Sequence, residues 1–374
     1  MRRLVILARQ LARGGAERQL VTLAQGLKAR GHDVHVVLFY SGGTFDAELI
    51  ATGVPVFFLG KGGRWDVIGF LIRLVTILRC LCPDVVYSFL DVPNILAALM
   101  RPIAGWPKLI WSIRAAGMEM RHYDWLTRSV PWLEERLSHR ANMIIANSHA
   151  GAAWAAHRGF PADKLQIVEN GIATEIFRPD EGARARVRAE WNVRNGERLI
   201  GLVARLDPMK DHPTFLHACA ELSKSHADLR FVCIGDGRAA YRTELEALAA
   251  QLGIDRQIIW AGPRQDMPAV QNALDIACSA SAFGEGFSNV IGEAMSCGVP
   301  CVVTDVGDSA RIVGSLGEVI LPRNAGAMVQ ALERMLARIN MEPNLAKQLR
   351  LRIEEEFSLD KMVLRTERLL VDLR

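Results

Sequence analysis

Two stretches of the chain, about two hundred residues apart, open with the same order of elements, a domain-scale repeat that limits the fold strongly. In the first, Leu4–Ala8 is a continuous apolar run that predicts a buried strand, followed by a loop at Gly14-Gly15. Leu20, Leu23, Ala24 and Leu27 then recur at helical spacing, and Val34–Phe39 predicts a second strand. In the second, Leu199–Ala204 is the strand and Asp207–Asp211 the loop. Phe215, Leu216, Cys219 and Leu222 give the helix, and Leu229–Ile234 the next strand. Apolar strands alternating with amphipathic helices predict parallel sheets covered on both faces. The expected fold class is therefore α/β, with two Rossmann-like, doubly wound domains.

Further strands are expected at Val54–Leu59, Val85–Phe89, Leu109–Ile113, Met143–Ala146, Gln166–Val168, Ile258–Trp260, Ile276–Ser279 and Pro300–Thr304. A chain of 374 residues exceeds what one core supports. Pro179, Asp180 and Gly182 interrupt both periods, which sets the expected domains at 1–178 and 179–356. From Ala325 the pattern is helical, and the last helix, about 357–374, is expected to pack back on the first domain.

The net charge of +4 is uneven: residues 1–180 carry 21 Lys+Arg against 15 Asp+Glu, and residues 181–374 carry 24 against 26. Six of eight Trp lie in the first half, namely Trp65, Trp106, Trp111, Trp125, Trp132 and Trp154. Basic residues with aromatics fit an anionic membrane surface; a basic, well-packed domain without that partner fits equally well. The cations are scattered rather than clustered, which argues against nucleic acid. Seven Cys, mostly within apolar stretches, read as reduced packing residues, and no His cluster completes a zinc set around Cys278, Cys297 and Cys301. Leu4–Ala8 is too short for a signal-peptide core, and Val67–Leu81 is interrupted by Arg73 and Arg79, so neither secretion nor a membrane span is expected. The expected location is cytoplasmic, with the inner face of the cytoplasmic membrane as the surface that a peripheral association would use.

Three segments carry chemistry. Gly14-Gly15-Ala16-Glu17 opens a helix after a strand, where glycines admit a ligand and free N–H groups favour a pyrophosphate; a plain turn would look the same. Around Arg205-Leu206-Asp207-Pro208-Met209-Lys210, a strand tip delivers Arg205 and a loop delivers Lys210, two cations suited to a diphosphate leaving group. The third, Phe283-Gly284-Glu285-Gly286-Phe287-Ser288-Asn289-Val290-Ile291-Gly292-Glu293, places Glu285 on a loop and Glu293 one turn inside a helix. Both carboxylates can accept from paired hydroxyls, while N–H groups near Ser288–Val290 add to a phosphate cradle. The bland alternative is a turn Glu285 and a wet-face Glu293.

Together with Ile145-Ala146-Asn147-Ser148, Val168-Glu169-Asn170-Gly171-Ile172, Ile234-Gly235-Asp236-Gly237, Trp260-Ala261-Gly262 and Gly298-Val299-Pro300…Thr304-Asp305-Val306-Gly307, these segments resemble the retaining glycosyltransferases of family 4. The resemblance covers nearly the whole chain. It implies the GT-B fold, two facing Rossmann-like domains with a cleft between them. It implies that Arg205 and Lys210 bind the donor diphosphate, with Gly15 facing it, and that Glu293 holds the ribose. Glu285 would lie beside the reacting sugar, and the amides of Gly286, Phe287, Ser288, Asn289 and Val290 would contact sugar and phosphate. Arg264 is a candidate for the base. Where many relatives place a His, this chain reads Ser112-Ile113-Arg114, so Arg114 is expected to substitute electrostatically, contact the acceptor, or be structural. His122 and His139 are given no role.

The resemblance thus implies a metal-independent, retaining enzyme without a cofactor, in keeping with the absence of a D-x-D. Its donor would be a nucleoside diphosphate sugar, UDP ahead of GDP; the basic, Trp-rich first domain, the half that takes the acceptor in this fold, makes the expected acceptor lipid-linked or a cell-surface polysaccharide such as lipopolysaccharide. The alternatives are a nucleotide-sugar 2-epimerase on the same fold, or a non-catalytic sugar-nucleotide-binding subunit of a partner transferase.

Overall fold

The computed structural model describes residues 2–63, 66–117 and 125–373, without the side chains of 125–129. Trp65, His122 and the Trp125 side chain therefore lie outside the described residues. The chain divides into two units, Met1–Gly171 with Leu359–Arg374, and Ile172–Ser358.

The first unit contains β1 (Arg3–Ala8), β2 (Asp33–Leu38), β3 (Val56–Phe58), β4 (Val85–Phe89), β5 (Lys108–Ile113), β6 (Met143–Ala146) and β7 (Leu165–Ile167). They form one sheet in the order β3-β2-β1-β4-β5-β6-β7, with every pair parallel. Strand β1 explains why Leu4–Ala8 is apolar throughout. Leu4 and Ile6 enter a core on one face, while Val5 and Leu7 enter a separate core on the other. Parallel strands covered on both faces have no wet side to alternate with.

The second unit contains β8 (Arg198–Val203), β9 (Leu229–Ile234), β10 (Ile258–Gly262), β11 (Ile276–Ser279), β12 (Cys301–Thr304) and β13 (Glu318–Ile320). Its parallel sheet has the order β10-β9-β8-β11-β12-β13. In both sheets the order reverses beside the first strand, at β1/β4 and at β8/β11. Open α/β sheets bind ligands outside the carboxyl ends of the strands at such a switch point. β13 escaped the sequence reading because it is a three-residue edge strand that begins on Glu318.

The division falls at Gly171/Ile172, not after residue 178. Ile172 donates its N–H to Phe357 O at 2.8 Å and bridges to Ser358. Arg350 donates to Thr174 O and Phe177 O. The Pro179–Gly182 cluster therefore interrupts periodicity within the second unit instead of separating the two. The helix Leu359–Asp372 belongs to the first unit, where Met362, Val363 and Leu370 join the core that holds Leu20 and Leu27.

No helix among the described residues is long and apolar enough to cross a membrane. The helix Ile68–Leu81 leaves Ile68 and Ile72 exposed, as are Trp106 and Trp132, whereas Trp111 is fully buried. Five cysteines are buried, but Cys80 and Cys82 are exposed, and all seven are free thiols.

Candidate functional site

The second unit brings the two strongest sequence signals together across its switch point. β8 ends at Val203, and the loop beyond it runs through Arg205 to a single 3-10 turn, Pro208–Lys210. Asp207 caps that turn by accepting from Met209 N at 3.0 Å. Asp211 then adopts a left-handed φ of 47° and caps the helix His212–Leu222, accepting from Thr214 N and Thr214 Oγ1. This double turn points Lys210 toward β11. There the Lys210 ammonium contacts Glu285 Oε1, which also accepts from Ser281 Oγ at 2.7 Å. Residues 75 apart in sequence thus share one carboxylate. Both side chains are largely shielded, at 17% and 9% exposure, so their mutual attraction is stronger than that of a surface pair.

The Glu285 loop is fixed from below. Ala282 N donates to Met209 O at 2.8 Å, tying the two loops together. Gly284 sits at φ 80°, and a Cβ there would reach 2.5 Å from Met209 Sδ, so only glycine fits. Gly307 at φ 63° packs equally closely on the Glu285 and Gly286 carbonyls, and Asp308 N donates to Gly286 O at 2.9 Å. Thr304 Oγ1 donates to Ser281 O at 2.7 Å. Phe287 is buried against Phe357, with ring centroids 5.5 Å apart. The helix Asn289–Ser296 follows with no side-chain cap from Ser288, whose carbonyl accepts from Ile291 N at 3.3 Å. Val290 and Glu293 are half-buried on it.

Not every expected residue joins this cluster. Arg205 is exposed and lies 3.7 Å from Asp207. Arg264 follows β10, an edge strand two places from β8. Its guanidinium is occupied by Glu190 and Asp266 and lies 5.8 Å from the Trp191 ring centroid. Those bonds hold it above the ordinary arginine range. Two residues went unremarked in the sequence reading. Ser281 lies four positions before Glu285 and shares its oxygen. His212 directly follows Asp211 and is fully buried, with neither ring nitrogen hydrogen-bonded. Burial, followed by the Lys210 charge, pushes His212 down to about 4, so it is neutral.

In the first unit, Gly14 precedes the helix Gly15–Ala29, and a Cβ on Gly14 would overlap the Glu17 carboxylate. The positive end of this helix already has an acidic side chain of its own beside it. Arg114 lies just beyond β5. Its Nε donates to Ser112 Oγ at 2.6 Å and Nη1 to Asn170 Oδ1 at 2.9 Å, while Nη2 lies 3.4 Å from Tyr87 Oη. The guanidinium sits 4.5 Å from the Phe89 ring centroid. Behind it, Asn94 donates to Ser112 O and to Glu134 Oε1. Burial, reinforced by the Asp91 carboxylate, pushes Glu134 up to about 7. His139 follows the helix Trp125–Ser138 and precedes β6, at the opposite end of the sheet from Arg114.

With this geometry in hand, known proteins can be compared. Residues 13–176 match the model of Glycosyltransferase Family 4, and residues 197–338 match that of Glycosyl transferases group 1. The chain is 22% identical to EpsF of Bacillus subtilis over 297 residues, 78% of this chain and 76% of that one. It is 31% identical to the D-inositol 3-phosphate glycosyltransferase of Mycobacterium marinum over 178 residues, 46% of this chain but only 37% of the relative. Against the mycobacterial relative, then, the match spans well under half its length. The crystal structure of Anabaena HepE in complex with UDP-glucose superposes with a TM-score of 0.88 at 21% identity, covering all of both chains. Two doubly wound parallel sheets of this kind define the GT-B fold. The chain belongs to the family 4, group 1 glycosyltransferases.

Proposed function

We propose that the protein transfers a sugar from a nucleoside diphosphate sugar, with retention and without a metal ion or cofactor, to a lipid-linked or polysaccharide acceptor. The observation that carries this reading is the Lys210–Glu285 contact beyond the carboxyl ends of β8 and β11. A cation and a carboxylate there suit a diphosphate and a sugar hydroxyl respectively. Arg205 is exposed on the same loop after β8, 3.7 Å from Asp207, and is assigned with Lys210 to the diphosphate. Glu293 is assigned to the ribose hydroxyls, and the amides of Phe287–Val290 to sugar and phosphate. Arg264 remains the candidate for the base, its guanidinium held by Glu190 and Asp266. UDP is the proposed nucleotide, which HepE binds, with GDP as the competing choice.

Thermal unfolding with UDP and GDP, run in EDTA on wild type and Lys210→Ala, tests the donor site. A diphosphate at a hundredfold its dissociation constant stabilises by about 2.7 kcal/mol, and the shift should vanish in the variant. Stabilisation by neither nucleotide would move the non-catalytic reading ahead, and release of free epimerised sugar without acceptor would favour the 2-epimerase.

The acceptor proposal rests on the first unit, whose basic balance accompanies exposed Ile68, Ile72, Trp106 and Trp132. The protein is expected to sediment with vesicles containing anionic lipid and to be released as salt rises. Equal recovery in the supernatant at low and high salt would remove the membrane from this reading.

A further inference from the structure

The geometry points to Arg114 as the receptor for an anionic oxo group, a carboxylate or phosphate, carried by the acceptor; this rests on the proposed transfer reaction. Arg114 stands at the carboxyl end of β5, the edge at which a parallel sheet presents ligand-binding side chains. Its partners among the described residues are Ser112, Asn170, Tyr87 and the Phe89 ring, all of them neutral. Glu169, which directly precedes Asn170, is engaged by Arg365 and by His149 at 3.5 Å. Glu134 reaches Arg114 only through Asn94 and Ser112. Arg114 is half-buried, and a guanidinium that gives up much of its water ordinarily has a carboxylate partner, because losing that water without one is costly.

The unused donors indicate the shape of the missing partner. A guanidinium carries five N–H groups, and three are directed at Ser112, Asn170 and Tyr87. One N–H remains on each terminal nitrogen, the arrangement that takes a carboxylate or phosphate as a fork. Phe89 holds the plane from one side, and Ser112 and Asn170 fix its rotation, so the fork is preorganised. A neutral hydroxyl would use one of these donors and leave the charge unanswered. The donor cations Arg205 and Lys210 belong to the other unit, and the test below separates an acceptor anion from a donor one.

The test uses the whole chain with ¹⁵N-labelled arginine. The Arg114 guanidinium resonance is identified by its ring-current shift over Phe89 and by its loss in Arg114→Lys. Inorganic phosphate and glucuronate should each shift it saturably, while chloride at equal ionic strength should not. No response to either anion overturns the proposal, and wild type alone gives that answer should the variants fail to fold. A second arm compares UDP-glucuronate with UDP-glucose. If the charged donor binds about tenfold tighter and Arg114→Gln erases the difference, the anion belongs to the donor and the acceptor assignment is wrong. UDP should bind Arg114→Gln as it binds wild type. Failure of UDP to bind either protein would sink the donor reading while leaving the phosphate titration to be judged separately.

Discussion

Replacing Glu285 by Gln is expected to tighten UDP binding while abolishing transfer, and replacing Lys210 by Ala is expected to abolish both. The opposite signs follow from one contact. Without substrate, the Lys210 ammonium is answered by Glu285 Oε1 in a largely shielded pair. A diphosphate must compete with that carboxylate for the cation. Gln keeps the size and the acceptor for Ser281 Oγ but removes the charge. Lys210 then meets the diphosphate uncompensated, and affinity should rise roughly tenfold, the gain ordinary for a charge-assisted bond. On the proposed reading, transfer depends on the carboxylate beside the developing positive charge of the sugar, so kcat should fall about a hundredfold to a thousandfold. In Lys210→Ala the phosphate loses its cation and, among the described residues, Glu285 keeps a buried charge with Ser281 as its hydrogen-bond donor. Calorimetric UDP titration and initial rates on both variants decide the matter. If both weaken UDP alike, the pair is a structural strut and the donor is held elsewhere.

That contact could not be read from spacing. Glycines flanking Glu285 and the strand-loop-helix around Lys210 were each legible, because glycine marks close approach and apolar runs mark buried strands. Their meeting depends on β8 and β11 being neighbours across the switch point, which is a property of sheet order. The strands themselves were legible for the same reason that Leu4–Ala8 of β1 is apolar: both faces are covered. β13 was not, since an edge strand of three residues starting on a half-buried Glu carries no such pattern. Arg264 shows the same limit. Its place after a strand end suggests a ligand contact, while its pairing with Glu190, distant in sequence, was not legible. The domain boundary failed because Pro and Gly report a broken period, whereas the division depends on where residues 172–178 find hydrogen bonds, with Phe357 and Arg350.

The largest stability effect is expected from Asp275, which stands just before β11 and holds the lower ends of the two strands that carry the site. Its carboxylate accepts from Leu199 N at 2.7 Å, at the start of β8, and from Arg184 and Arg188 at 2.8 and 2.9 Å. Arg198 lies at 3.3 Å, but its side chain is 38% exposed and contributes little. Burial alone would raise this carboxyl; the Leu199 amide and the guanidinium groups outweigh it and hold it below the ordinary value. Asp275→Asn leaves two half-buried guanidinium groups without their counter-charge and faces an amide toward donors. It should cost on the order of 3 kcal/mol, while Arg198→Gln should cost under about 1 kcal/mol. The sign of the pH dependence follows from the depressed folded value. The contribution is complete above the unfolded carboxyl value of about 4 and disappears only below it. Urea midpoints of wild type and Asp275→Asn should therefore differ by a constant amount from pH 7 to pH 5 and converge below about pH 4. A difference that already changes between pH 7 and pH 5 would assign the effect to another group. Because Asp275 ties β11 to β8, the surviving folded fraction should also bind UDP more weakly, with the Lys210–Glu285 pair loosened from the base of the sheet upward.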